Sequence, residues 1–402
     1  MPEVTTMKRL LIVLVALFPP LCFSTSQQAS NALTAEEVTQ GWILLWDGQS
    51  TFGWEPQINM EWPSTEGALH SASGGYVWLR HKTPFANFVL KADFFMNSPD
   101  ADSGIFIRAA GDGDPSKTGY QVNINNMNKD WGTGSLVFRH KSKVPVAKVK
   151  EWHTFEITAE GDHIAVLLDG KKTVDVHDSA SATGYVGLQF IKGDEVRFRN
   201  IKLRPLGLQP LFNGTDLSGW ERVDRPNVKM PPEWSVKDGA IHVEKGPGQL
   251  ETSATFADFI LQLEARTNAQ NEDQHPNSGV FFRGDKGKFW SGYESQVRNE
   301  FKSGDRSQPV DFGTGGLYRF QPARRVVSSD NEFFGKTIIA FGRHIAIWVN
   351  GIQVVDYEDK REEGMEAAKQ ARIAAGPISL QAHDPTTNLD FRNLRIAAFP
   401  AK

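Results

Sequence analysis

Apolar and polar side chains alternate one by one through many short stretches of this chain. In Phe259-Ile-Leu-Gln-Leu-Glu-Ala-Arg266, Leu261, Leu263 and Ala265 point one way and Gln262, Glu264 and Arg266 the other. That two-residue period predicts a strand with one buried face. His344 to Val349 and Ile352 to Tyr357 read as two strands joined at Asn350-Gly351, and Asp169-Gly170 closes a similar pair. Asn-Gly and Asp-Gly supply the positive φ that a tight type I′ turn needs. Many short strands with regular turn signals predict an all-β chain of the sandwich or jelly-roll kind. The one helical candidate is Glu362 to Arg372, charged and Ala-rich, expected as a surface insertion.

The pattern occurs twice. Leu44 to Trp54 (LLWDGQSTFGW) matches Pro210 to Trp220 (PLFNGTDLSGW), and Trp62 to His70 matches Trp234 to His242. Asp102-Ser-Gly-Ile-Phe-Ile-Arg108 matches Asn277-Ser-Gly-Val-Phe-Phe-Arg283, and Gly132-Thr-Gly-Ser-Leu136 matches Gly313-Thr-Gly-Gly-Leu317. His163 to Gly170 matches His344 to Gly351, and Phe198-Arg-Asn200 matches Phe391-Arg-Asn393. All matches keep their order, so a whole domain is duplicated. The seam at Leu203 to Pro210 carries two Pro and one Gly, as a short linker does. The expected domains span 40–205 and 208–398.

Residues 1–29 read as a secretory signal. Lys8 and Arg9 precede the apolar run Leu10 to Phe18, Pro19 and Pro20 end it, and small residues follow. A run this short suits an export signal better than a membrane span, which predicts a periplasmic or extracellular protein. The single cysteine, Cys22, lies inside the segment, so disulfides are not expected to support the mature chain. The 402 residues carry a formal charge of −4, and no basic face invites nucleic acid. Eleven Trp suit both a core and stacking on sugar rings.

The run Leu211-Phe-Asn-Gly-x-x-Leu-x-Gly-Trp220, then Asn277-Ser-Gly, Gly292-Tyr-Glu-x-Gln296, Asn350-Gly, Leu380-Gln-x-His-Asp384 and Phe391-Arg-Asn393, resembles the 3-keto-disaccharide hydrolase family. The resemblance covers 208–398 almost fully and extends more weakly over 40–205. It implies two tandem concanavalin A-like jelly-roll β-sandwich domains, each with a curved sheet whose concave face can hold sugar. It also implies cleavage of glycosides that carry a ketone at C3. Asn299 stands where the family pattern has Asp, a departure that bears on activity.

Comparing the two copies locates the chemistry. Glu294 corresponds to Gln121, Gln296 to Asn123 and His383 to Ile191. Neither Gln nor Ile can take up a proton as a general base does, so the second copy is expected to be catalytic and the first not. Glu294 and His383 are the catalytic candidates. Arg283, Gln296, Glu264, Arg298, Tyr318 and Gln381 are the candidate substrate contacts, with the polar row Gln262, Glu264, Arg266 expected on the concave face. A C3 ketone acidifies the C2 proton, so a base near neutral pKa and a donor for the enolate suffice. Glu294 and His383 compete for the role of base. Arg283 or a bound divalent metal ion could hold the enolate; no cofactor motif, EF-hand or zinc cluster is present. The expected partner is a glycoside or oligosaccharide, with the two domains packed on each other and no membrane span. Two other readings stand beside this one. One is an ordinary jelly-roll glycosidase with Glu264 and Glu294 as its acid pair, about 5–10 Å apart. The other is a lectin-like binding module without catalysis.

Overall fold

A computed structural model describes residues 1–2, 30–56, 64–70, 77–143, 147–191, 196–225 and 227–400. Residues 3–29 of the expected leader, Cys22 included, and Trp62 lie outside the described residues. The described residues are nearly all β, two jelly-roll sandwiches in tandem, with short α-helices only at Ala35–Thr39 and Pro115–Thr118. Each repeat builds an eight-stranded sheet and a five-stranded sheet from antiparallel strands. In the second repeat the five-stranded sheet runs Trp220–Asp224, Gly248–Thr252, Ser379–Ala382, Ser278–Phe282, Tyr293–Val297. Its partner centres on Asn388–Ala398, Phe259–Thr267, Phe334–Phe341 and His344–Val349. The first repeat copies this order, with Val77–Phe85, Gly184–Phe190, Ser103–Ala109 and Tyr120–Ile124 in the small sheet.

Each sandwich encloses its own apolar layer. In the second repeat Leu261, Leu263 and Ala265 pack inward with Val280, Phe282, Leu380 and Ile338, as the alternation requires. Both expected turns form. Asn350 and Gly351 adopt φ of 48° and 75°, and Asp169 and Gly170 adopt 50° and 74°, joining strands paired Val349 to Ile352 and Leu168 to Lys171.

The expected helix at 362–372 does not form. Instead the segment closes on itself as a flap. Ala371 N donates to Glu362 O at 2.8 Å and Gly364 N to Ala371 O at 2.9 Å. Gly364 sits against Gln370, where an added Cβ would lie 2.1 Å from it. A helix this short is marginal alone, and the anchoring of Arg372 described below outweighs its propensity.

The repeats share a buried seam. The outer face of the second repeat's large sheet contributes Ile260, Ile339, Ala346 and Trp348 to the first repeat's core. Trp348 is fully buried, donates its indole N–H to Leu44 O at 2.9 Å and stacks on His81. Leu44 N in turn donates to Gly351 O at 2.8 Å. Beside them Lys82 and His344 both reach Asp356, each at 2.7 Å. Gln262 spans the seam to Gly41 O at 2.8 Å. Among the described residues no helix is long and apolar enough to cross a membrane. Trp348→Ala is expected to cost about 3–5 kcal/mol through the cavity it leaves, read as a fall in the denaturant midpoint of the whole chain.

Candidate functional site

The outer face of the second repeat's small sheet carries the cavity. Strand parity puts Tyr293, Val280, Phe282 and Leu380 in the core and turns Phe281, Glu294, Gln296 and Gln381 outward, where they line a cavity of about 430 Å³ with Tyr318 and His383. A cavity of this size suits a small ligand. Glu294 stands opposite Phe281 and Gln296 opposite Gly279 across the strand pair. A Cβ on Gly279 would lie 2.3 Å from a Glu294 carboxylate oxygen. The Asn-Ser-Gly motif therefore has a physical reason: its glycine makes room for the Glu294 side chain to lie on the sheet.

Asp311 closes one side. Its Oδ2 accepts from Gln296 Nε2 at 2.9 Å and Asn277 Nδ2 at 3.1 Å, holding the Gln296 amide fixed. Both Asp311 and Phe312 lie at positive φ, 49° and 69°, a conformation costly for non-glycine residues. Burial pushes the Glu294 carboxyl up to about 7; neighbouring Asp311 raises it further, while His383, Lys336 and Arg319 pull the other way. Among the described residues no donor reaches the buried Gln381 Oε1. Its counterpart Gln189 accepts from Gln121 Nε2 at 2.8 Å, the position that Glu294 occupies here.

His383 is held by its neighbours. Its Nδ1 meets Asp384 Oδ2 at 2.8 Å, and Thr387 Oγ1 accepts from both His383 N and Asp384 N at 2.9 and 3.0 Å. The His383 contact draws the Asp384 carboxyl well below the usual carboxylate range. Asp384 thus orients the imidazole, the arrangement of a proton-transferring group steered by a carboxylate. Trp290 lies nearly parallel to the imidazole, centroids 5.5 Å apart and planes 11° apart. Two buried side chains of the small sheet set the Trp290 loop: Gln249 Oε1 accepts from Trp290 N at 3.0 Å and Glu251 Oε1 from Gly287 N at 2.8 Å. The 362–372 flap forms the far wall through Met365, Glu366, Ala367 and Ala368. Arg372 latches it, bonding Asp285 at 2.6 Å, Gly284 O at 3.0 Å and Met365 O at 2.6 Å.

Glu294, Gln296, Tyr318, Gln381 and His383 thus meet in one place, while Arg283, Glu264 and Arg298 do not reach it. Arg283 is fully buried, donating to Ala257 O and Gly342 O, both at 2.7 Å, and to Asp258 at 2.9 Å. Arg108 repeats the pattern with Ala86 O and Gly161 O at 2.7 Å and Asn87 at 3.1 Å, so the residue ties loops in both copies and holds no enolate. Glu264 belongs to the large sheet, where its row faces away from the core and Arg392 binds it at 2.6 Å. The row Gln262, Glu264, Arg266 is correspondingly absent from the cavity, and Glu264 cannot flank a bond together with Glu294. Arg298 follows the end of its strand and turns to Glu300 at 2.8 Å. Asn299 accepts from Thr314 Oγ1 at 2.6 Å as Asn126 accepts from Thr133 Oγ1 at 2.8 Å; shared by both repeats, it is a turn-holding residue. Trp290, Asp311, Arg319 and Lys336 escaped the sequence reading. Only Lys336 carried a signal, a cation in the inward row Phe334, Ile338, Ala340.

In the first repeat the same face is filled. Trp78, the counterpart of Gln249 by strand register, lies buried against Phe106, ring centroids 5.6 Å apart. It passes over Gly187, whose Cβ would sit 2.3 Å from the indole. Gln121 Nε2 donates to both Asn123 and Gln189 beside it. Among the described residues no group of three or more His, Cys, Asp or Glu side chains is gathered to hold a metal.

The sequence profile of the 3-keto-alpha-glucoside-1,2-lyase-like domain family matches twice, over residues 41–204 and 207–397. No curated protein matches. Among solved structures, a candidate glycosyl hydrolase from Parabacteroides distasonis is 20% identical with a TM-score of 0.41, over 44% of this chain and 100% of its own. A carbohydrate-binding module from Bacillus subtilis is 21% identical with a TM-score of 0.31, over 37% and 94%. A galectin-like protein from Bacillus subtilis is 14% identical with a TM-score of 0.28, over 48% and 94%.

Glu294 has a folded-state pKa raised from 4.5 to about 7. Its neutral form is favoured by folding, so that contribution is present below pH 4.5 and lost as pH rises through about 7. Glu294→Gln, always neutral, is expected to gain stability relative to the native chain across that window. Melting curves at both ends would reveal it, and a difference that stays flat with pH contradicts the raised value.

Proposed function

The chain belongs to the 3-keto-alpha-glucoside-1,2-lyase-like domain family through both of its repeats, and on that premise we propose that the second repeat cleaves 3-keto-glycosides by elimination. The observation that supports this most is the convergence of Glu294 and His383 on one cavity, set against Gln121 and Ile191 in a repeat whose corresponding face is filled by Trp78.

Glu294 takes the proton from C2. The C2–H electron pair forms the C2–C3 double bond of an enolate, and the ketone oxygen becomes negative. Arg319 lines the same cavity and supplies positive charge for that oxygen. The ketone then re-forms, the pair moves to C1–C2, and the C1–O bond breaks. The leaving oxygen takes a proton from His383, which Asp384 orients and stabilises as a cation. The products are an alcohol and a 1,2-unsaturated 3-keto sugar; water adding across C1–C2 gives the free 3-keto sugar. A pKa near 7 suits a base working near neutral pH. Trp290 offers an apolar shelf for a sugar ring, and Gln381 Oε1 awaits a hydroxyl donor. The leader expected from the sequence would place the reaction outside the cytoplasm.

The test is turnover of a 3-keto-α-glucoside followed by mass spectrometry. The 1,2-unsaturated sugar, caught before water adds to it, is lighter by one water than the product of direct hydrolysis. Glu294→Gln and His383→Ala are each expected to lower turnover by about 10²–10⁴-fold, while Gln121→Glu leaves it unchanged. Full turnover by Glu294→Gln ends the proposal, and tight glycan binding without product supports the lectin-like reading instead.

A further inference from the structure

One ionisable group near the cavity has no part in the reaction as written. Lys336 lies on Phe334–Phe341, in the large sheet. Its row neighbours Phe334, Ile338 and Ala340 all belong to the second repeat's apolar core. Lys336 points inward with them and is 1% exposed. Its ammonium crosses the sandwich to the underside of the small sheet, donating to Gln296 O at 2.8 Å and Ser295 O at 3.1 Å. Those carbonyls belong to the strand that carries Glu294 on its upper face. The cation therefore sits on one side of a single strand and the carboxylate on the other.

The first repeat shows that the fold has no need of this amine. Strand register sets Lys336 opposite Leu263 and Phe155 opposite Ala92, which makes Phe155 its counterpart. Phe155 is fully buried and stacks on Phe94 with centroids 4.7 Å apart. Nor does the strand depend on the lysine for its hydrogen bonds. Gln296 O already accepts from Gly315 N at 2.9 Å, as Asn123 O accepts from Gly134 N at 2.8 Å in the first repeat. An ammonium in an apolar core is costly unless a charge or strong acceptors compensate it. Both members of the charge pair are missing together from the first repeat, where Gln121 replaces Glu294 and Phe155 replaces Lys336.

We propose that Lys336 is a positioning residue of this site: its ammonium, seated beneath the strand, is the built-in counter-charge that keeps Glu294 a carboxylate facing the substrate. This rests on Glu294 being the base. The charged groups that act on Glu294 from the cavity side are His383, Arg319 and Asp311, and Lys336 is the one that acts from the core. Glu294 is likewise the charge that acts on Lys336, whose amine burial brings down to about 7. A base that must lose its proton in a desolvated place needs a nearby cation. A cation supplied through the core leaves the cavity open for the sugar.

The experiment is a carboxyl ¹³C NMR titration of the full chain with labelled glutamate, which requires no substrate. Removing a cation disfavours the carboxylate, so Lys336→Met is expected to raise the Glu294 midpoint by about one pH unit, a tenfold change in proton affinity. Lys336→Arg keeps the charge and is expected to leave the midpoint near its native position. The acid limb of the pH profile of kcat moves in the same direction in the Met variant. A folded Lys336→Met protein whose Glu294 midpoint does not move overturns the proposal. Should that variant fail to fold, the reciprocal measurement decides. In Glu294→Gln the Lys336 amine, followed by ¹⁵N NMR, is expected to titrate about one unit lower, and an unmoved amine overturns the pairing. A shifted titration in a protein that turns over no 3-keto-glycoside leaves the charge pair and removes the reaction. An unshifted one in an active enzyme does the reverse.

Discussion

A sheet in a sandwich has two faces and a core can occupy only one of them. What each repeat does with the outer face of its five-stranded sheet determines nearly everything else about it. The first repeat lays Trp78 across Gly187 and joins Gln121 to both Asn123 and Gln189, so the face is covered from within. The second places Gln249 where Trp78 stood, and Gln249 with Glu251 lifts a loop that stands Trp290 beside His383. The flap latched by Arg372 supplies the remaining wall. The cavity is thus formed by removing one large side chain and raising two loops around the vacated area.

The strands, the two I′ turns and the duplication were legible because a two-residue period and Asn-Gly or Asp-Gly pairs are local signals. Comparing the repeats also pointed to Glu294 and His383, since a loss of ionisable groups against a preserved fold is visible in the letters. Parity had a limit: it tells which residues share a face, but not which sheet the strand joins. Glu264 and its row were therefore assigned to the sugar side when they belong to the outside of the large sheet. Arg283 looked available for substrate because a sequence does not display carbonyls, and three loops use it up. The flap read as a helix because Ala and charged residues favour one; its ends pair with each other across Glu363 and Ala371, a contact that no local pattern encodes.

The second repeat also carries more charge in low-dielectric places than its sister. Glu294 and Lys336 occupy opposite sides of one strand, and Asp311 is held at positive φ beside them. Stability favours the Phe155 arrangement, with aromatic rings stacked where the lysine would be. A desolvated carboxylate, a buried amine and strained loop residues are features that a scaffold retains where chemistry is done.

The buried seam gives the first repeat a structural task. Ile260, Ile339, Ala346 and Trp348 project from the back of the second repeat's large sheet into the first repeat's core. Cut loose, the second repeat would present that row to water as a sticky patch of the kind that drives clumping. The first repeat thus covers its twin's back.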